Sequence, residues 1–550
     1  MSRIAHLVFI LLICFTVPQP VAAENKSAPS ISLVQINADG MIADLKYLVL
    51  DLADEKKGWS NLEELLPTFL EGIDKTRPMR IDILLGENQK ERYRLILPVS
   101  DLGKFRDNLE VFEISSKKQR KGPYILGNLF EGFMNYLQKE QYVVISEKLS
   151  EVEEITDPLQ RVQELIAAKY DFSALITNEK EGVEERKKSM ISTREQLLAA
   201  VKKKRDETDN AYELRKLAFI HQMDELERLF VQSEKMVIGW TTDAAENEGR
   251  LVFTLKAIEG SSLDESIKQF ATKPSYFANV PVQMDGILNG RINHPLDEMR
   301  KENFTAFYKL LLPSLQERIQ ANKDLTDEQK SAGKKVAALI IEMLDAGKEA
   351  SLIDGFIDTK SVADNKYTLL GGARSTDGAK LKEIVELLPK VMKDQTVETD
   401  VVNEESLKIH KINIKDQYKA GFEELFGAGE ALYVGSTPEA LWVAAGPDSI
   451  KRITEASKLV KEPAPEKVSP EVIELNVKTL PWLKMVNKLR GEKGNQEIRE
   501  MLIKSLTSTD DTFSFVMKRE GETIDGKAKL DKGILKFIGN VIAKFSKETL

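Results

Sequence analysis

Short runs in which apolar and polar residues alternate occur along the whole chain, and several of them come in pairs. MRIDILL (79–85) and YRLILPV (93–99) flank a polar stretch, and a helical pattern follows from Ser100 or Asp101 through Leu109. Alternation of period two marks a half-buried strand, and two such runs around a polar turn predict a hairpin. The same order returns at KMVIGWTT (235–242) and RLVFTLKAI (250–258), followed by a helix with Ser261 at its cap and an acidic first turn. It returns at ASLIDGFID (350–358) and KYTLLGGA (366–373), around a turn at Asp364-Asn365, with a helix from Thr376 or Asp377 to Lys393. ALYVGS (431–436) and ALWVAA (440–445) precede a helix capped by Asp448 or Ser449, and TFSFVMKR (512–519) and KAKLD (527–531) precede a helix from Gly533 to Phe545. A lone hairpin buries too little surface to be stable. The five strand–turn–strand–helix units are therefore expected to join into mainly antiparallel sheets, with helices packed mostly on one face. This is an α+β fold, and divergent duplication of the unit is an expectation.

Between the units the apolar spacing is helical. Asn128 to Lys139, Leu159 to Lys169, Leu296 to Asn322 and Asp327 to Ala346 all read as helices. Val183 to Gln232 is charged and free of proline and glycine, and predicts one long amphipathic helix. On it Tyr212, Phe219 and Leu226 recur at seven, as do Lys216, Met223 and Phe230. That stripe suits a helix docked on the fold or a short dimer seam. Glu462-Pro-Ala-Pro-Glu-Lys (462–467) reads as a stiff linker. The resulting division is 1–23, 24–180 (an α+β domain), 181–232 (the long helix), 233–348 (an α+β unit with a helical pair), 349–461 (a third α+β domain) and 462–550 (linker and last hairpin–helix unit).

The first segment changes the picture of where the chain works. Arg3, the apolar Leu7 to Val17 and Val21-Ala22-Ala23 have the pattern of a secretory signal peptide cleaved after Ala23. The apolar run is too short to span a membrane, and no later stretch reaches about 18 apolar residues. The mature chain is expected to be exported, either periplasmic or extracellular. Cys14, the one cysteine, lies in that signal. The mature chain then has no disulfide, thiolate nucleophile or cysteine-ligated metal. The formal net charge of −9, with acidic and basic residues interleaved, argues against nucleic acid as a partner.

Gly427-Ala428-Gly429 precedes a strand instead of following one, so it is a turn and not a dinucleotide fingerprint. GGARSTDGAK (371–380) lacks the spacing and the Gly-Lys-Ser/Thr of a phosphate loop. Ser-x-x-Lys occurs at Ser331–Lys334 and Ser115–Lys118, but Lys-Thr-Gly and Ser-Asp-Asn occur nowhere. Three histidines remain in the mature chain. His221 sits one helical turn from Glu225 with no second histidine near it in sequence, His294 precedes a proline and is expected to end a loop, and His410 alternates with Ile409 and Ile412 in a strand. Asp510-Asp511 and Glu184-Glu185 are ordinary in so charged a chain. Trp240, Phe253, Tyr433, Trp442 and Phe515 fall on strands and are expected to pack in the core. No catalytic, cofactor-binding or metal-binding residue is assigned, and no cofactor is expected.

ERYRLILPVSDLGKF (91–105), KYDFSALITN (169–178), LVFTLKAIEGS (251–261) with PSYFANVP (274–281), ALYVGSTPEALWVAAGPDSIKRI (431–453) and TFSFVMKR (512–519) stand in an order that resembles large exported proteins of unknown function abundant in planctomycete-type bacteria. The resemblance covers most of the mature chain and rests on structural motifs. It departs where KYDFSALITN runs into a charged helix without a proline. It implies an exported α+β protein and no particular activity. The expected function is a non-enzymatic cell-envelope protein acting through protein–protein contacts. The alternatives are an exported hydrolase with a dispersed site and a carrier of an apolar ligand.

Overall fold

Paired apolar runs fold as hairpins, and the hairpins join edge to edge. The computed structural model describes residues 31–549 except 86–90, 120–123, 130–131, 179, 206, 284–285, 347–350, 364–365, 393–394, 430, 463–467, 491–495 and 507–509. The apolar N-terminal segment with Cys14, the turn at Asp364-Asn365 and the proline segment after Glu462 lie outside the described residues.

The first run of elements is β1 (Ile31–Gln35), α1 (Ala38–Lys46), a π-helical turn (Tyr47–Leu52), α2 (Lys56–Phe69), β2 (Met79–Leu85), β3 (Glu91–Pro98), α3 (Leu102–Val111), β4 (Ser115–Lys118), β5 (Tyr124–Leu129), β6 (Gly132–Lys139), β7 (Tyr142–Ser146), α4 (Leu149–Glu153), α5 (Gln163–Ala168), β8 (Phe172–Thr177), α6 (Val183–Ala200), α7 (Asp209–Gln232), β9 (Ser233–Asp243), β10 (Glu248–Ala257) and α8 (Ser262–Gln269). The second is β11 (Leu288–Pro295), α9 (Glu298–Ala321), α10 (Asp327–Ala346), β12 (Leu352–Ala363), β13 (Lys366–Arg374), α11 (Lys380–Val391), β14 (Val397–Glu404), β15 (Leu407–Ile412), α12 (Asp416–Phe426), β16 (Leu432–Thr437), β17 (Ala440–Ala445), α13 (Ser449–Leu459), β18 (Glu471–Lys478), α14 (Thr479–Arg490), α15 (Gln496–Leu506), β19 (Thr512–Glu520), β20 (Thr523–Asp531) and α16 (Lys532–Thr549).

All twenty strands form one open antiparallel sheet. Its order is 4-5-6-7-3-2-1-8-9-10, then 20-19-18-11-12-13-17-16-15-14. Counted from either outer edge inward, the two halves follow the same path: each strand of the first half has its counterpart ten strands later. Open twisted sheets rarely exceed about ten strands, and each half stays within that limit. The halves join where β10 pairs with β20, Glu248 opposite Asp531 through Lys256 opposite Thr523. This is the self-complementary edge pairing that a twofold dimer would make.

Both sheet faces are covered, whereas helices mostly on one face are expected from the sequence. On one, α7 and α8 bring Phe230, Leu263, Ile267 and Phe270 onto Leu33, Ala174, Met236 and Leu255. On the other, the α5 region lays Val162 and Leu165 over Val34, Leu175 and Val237. There too α13 lays Ile453 and Ala456 over Phe356, Leu370, Trp442 and Ala444.

Four local expectations change. Where a helix over Asn128–Lys139 is expected, the described residues are strands: Asn128 and Leu129 end β5, and Gly132–Lys139 is β6. The 183–232 stretch is two helices, with Thr208 capping the second by accepting from the Ala211 amide at 3.2 Å. They lie against each other through Met190, Met223 and Val231 and an Arg194–Asp224 ion pair at 2.8 Å, so the apolar stripe is used inside the chain. His294 lies within strand β11, not in a loop. Helix α11 starts at Lys380, without a side-chain cap from Thr376 or Asp377.

The same slot in each half holds a buried aspartate. Asp82 on β2 faces Ser32 on β1, and Asp358 on β12 faces Asn289 on β11. Asp82 accepts from Ser32 Oγ at 2.7 Å, from Arg80 Nε at 2.7 Å and from Arg94 Nη2 at 2.8 Å. Asp358 accepts from Asn289 Nδ2 at 2.8 Å and from Arg452 Nη2 at 3.0 Å, with Lys360 Nζ at 3.2 Å. A buried carboxylate needs such partners, because an unpaired charge away from water is very costly.

Candidate functional site

Strand β11 opens the second half, and three cavities share it as a wall. Arg291 and Asn293 line one of about 270 Å³, Asn293 and Pro295 one of about 240 Å³, and Ile292 and His294 one of about 410 Å³. The last is the most apolar. Its walls include Ala218, His221 and Glu225 of α7, the two β11 residues, Arg300, Asn303, Phe304 and Phe307 of α9, and Ile353 of β12. It lies between sheet and helices where elements of both halves meet.

Helix lengths explain why space is left there. After β20, α16 runs for 18 residues and packs closely over α2 and the π-helical turn. A Cβ on Gly539 would stand 2.0 Å from the Leu48 carbonyl oxygen, and Ala543 touches Gly58. After β10, α8 has only 8 residues. The chain then turns at Ala271, which has φ +55, and Phe270 meets His294 edge-on at 4.9 Å. The following segment puts Phe277 and Val280 on the opposite face, in the Trp442 cluster. The shorter helix ends against the cavity and leaves it open.

The charges around the cavity neutralise one another. Arg300 donates to both carboxylate oxygens of Glu225, at 2.6 and 2.9 Å, and to Ser266 Oγ at 3.1 Å. Asp297 caps α9 through the Arg300 amide at 2.9 Å and accepts from Arg228 Nη1 at 3.0 Å. Burial pushes His294 down to about 4, with the Arg300 charge adding to the effect. Burial also lowers His221, against the pull of Asp224. Both imidazoles are therefore neutral at physiological pH. Nδ1 of His294 is buried and has no hydrogen-bond partner among the described residues. The described lining contains no hydroxyl, thiol or amine side chain, and its apolar residues suit it to holding a molecule.

Other sequence candidates lie elsewhere. His410 is buried on β15, accepts from the Asp400 amide at 3.0 Å, and is held below its ordinary pKa by burial. Ser115–Lys118 forms β4 instead of a helix, and Lys334 on α10 donates to Gln320 at 2.7 Å. Gly427 ends α12 with φ +112. Gly371 and Gly372 lie inside β13. Trp442 packs against Phe277 at 5.4 Å and Phe356 at 6.2 Å. Among the described residues no group of three or more His, Cys, Asp or Glu could hold a metal ion, and no helix is long and apolar enough to cross a membrane.

His221 and His294 share no motif in the sequence. The fold brings both to one cavity, and no spacing motif could have announced it. No protein-family model matches the chain, and comparison with curated proteins and with solved structures gives no match.

Proposed function

We propose that this is an exported, non-enzymatic protein of the cell envelope that holds a small apolar molecule in the cavity between α7, α9 and β11. Export is supported by the charged, apolar and small-residue order of positions 1–23. The observation that carries the binding reading is the cavity itself: about 410 Å³, walled mainly by Ile292, Phe304, Phe307 and Ile353. That volume falls within the range of small-molecule sites, roughly 300–1,000 Å³. The test is fluorescence of N-phenyl-1-naphthylamine, which brightens in apolar sites, with the mature protein. Saturable brightening is expected, and Ala218→Trp, which fills the cavity, should abolish it while leaving the melting temperature within a few degrees. A wild-type protein that never brightens the probe sinks the reading.

A second reading, docking of an envelope protein, is favoured by one surface feature. Ile340 and Leu344 lie one turn apart on α10 and are 42% and 48% exposed. If that face binds a partner, in-cell cross-linking should recover one dominant protein, and Ile340→Lys with Leu344→Lys should lose it. The common strand order of the two halves also supports descent from a duplicated ten-strand ancestor.

A further inference from the structure

We propose that the cavity selects an apolar molecule ending in an uncharged hydroxyl, which His221 and His294 hydrogen-bond. This deepens the binding reading above and depends on it.

Three observations carry the inference. First, the cavity wall contains two imidazoles, one on α7 and one on β11, beside a mainly apolar lining. A hydrogen bond made to a ring nitrogen away from bulk water adds affinity. Second, the nearby ions are already matched. Glu225 and Asp297 stand against Arg228 and Arg300, and the Arg300 fork is occupied by Glu225, Ser266 and Asp297. A carboxylate, phosphate or ammonium head would have to displace one of these pairs or sit uncompensated against Phe304 and Phe307, which is costly. Third, a neutral imidazole presents one N–H and one lone pair. A hydroxyl both donates and accepts, so it satisfies either tautomer. An ether or ketone accepts only and meets just one.

The head group therefore sits at the His221–His294 end, and the apolar body lies along Ile292, Phe304, Phe307 and Ile353. Ile353 is 38% exposed and marks the open side, where a chain longer than the cavity would emerge.

The experiment is displacement of N-phenyl-1-naphthylamine from the mature protein by four probes with the same ten-carbon chain: 1-decanol, its methyl ether, decanoate and decylammonium. The alcohol is expected to displace the dye at about tenfold lower concentration than the ether or either ion, the worth of one net hydrogen bond. In the His221→Phe/His294→Phe double variant, dye binding should persist and the tenfold advantage should vanish. His221→Gln, which keeps a hydrogen-bonding group, should retain part of it. Should the double variant fail to fold, the wild-type ranking still decides. An ion that displaces as well as the alcohol overturns the hydroxyl assignment while leaving the apolar cavity standing. A dye that never binds the wild type overturns both.

Discussion

The two halves share a path through the sheet but fill one slot in opposite ways. In the N-terminal half, the residues beside Asp82 on that face are Arg80 and Arg94, with Ser146 opposite Arg94. In the C-terminal half the corresponding places hold Phe356, Leu370 and Ala444. Ile96 and Val144 of the first half correspond to Gly372 and Trp442 of the second. Beside the shared aspartate, one half thus places strand cations and the other apolar and aromatic groups, on matching strands. The polarity of the strand–helix pairing is also reversed. In the first half a strand cation meets an anion on α4, where Arg92 pairs with Glu151 at 2.6 Å, and Arg94 donates to the Glu151 backbone carbonyl at 3.1 Å. In the second a strand anion meets a cation on α13, Arg452. The strands and their register define the slot, and the packing chemistry within it is free to change as long as each charge keeps a partner.

The largest test of that idea is Asp82→Asn. It leaves Arg80 and Arg94, each 2% exposed, without their shared anion. Loss of one member of a buried ion cluster costs about 3–5 kcal/mol, read by urea unfolding. Asp358→Asn, which frees a less buried Arg452, should cost only about 1–3 kcal/mol. Replacing the whole cluster, with Arg80→Met, Asp82→Leu and Arg94→Met, should cost less than Asp82→Asn alone, since well-packed apolar groups can stand in for buried ions. If the triple variant unfolds more readily than the single one, the slot is not interchangeable and the comparison breaks.

How much of this was legible follows from which contacts are local. The five strand–turn–strand–helix segments could be read because alternation and caps are local signals. Asp101 accepts from the Lys104 amide and Ser261 from the Asp264 amide, as their positions suggested. β6 has the look of a helix in the sequence because it is covered on both faces. Met134 and Tyr136 pack under α3 while Leu137 packs on the α4 side, so apolar residues do not alternate cleanly. The break between α6 and α7 carries no glycine or proline, and only the Thr208 cap signals it. The path common to the halves, the Asp82–Arg94 cluster and the His221–His294 cavity depend on strand neighbours far apart in sequence. Periodicity holds no information about such pairs.

Gly372 sharpens the comparison at a single carbon. A Cβ there would stand 2.6 Å from the Phe356 ring and 2.7 Å from the Phe277 ring. Gly372→Ala should therefore cost about 1–3 kcal/mol through overpacking. At the matching position of the other half a full isoleucine fits, and Ile96→Val should cost only about 0.5–1.5 kcal/mol. Equal tolerance at the two sites would mean that the aromatic cluster can yield, and that the slots differ less than their residues suggest.

The smallest effect separates the first helices of the halves. Seven residues after the caps Asn37 and Asp297 stand Asp44 and Phe304. Burial, aided by the charge of Asp171, pushes Asp44 up to about 7. The folded chain then holds this proton more tightly than the unfolded chain does. Its contribution is fully present below the ordinary carboxyl pKa near 4 and is lost as pH rises to about 7. Asp44→Asn should flatten that slope: relative to the parent, its melting temperature should be unchanged near pH 4 and higher at pH 8. His294 acts in the opposite sense, since its depressed pKa removes stability as pH falls from about 6.5 toward 4. It is present in both proteins, so the difference between them isolates Asp44. A difference that stays constant with pH would show that the Asp44 carboxyl is solvated, and that the first helices of the two halves bury their inner faces alike.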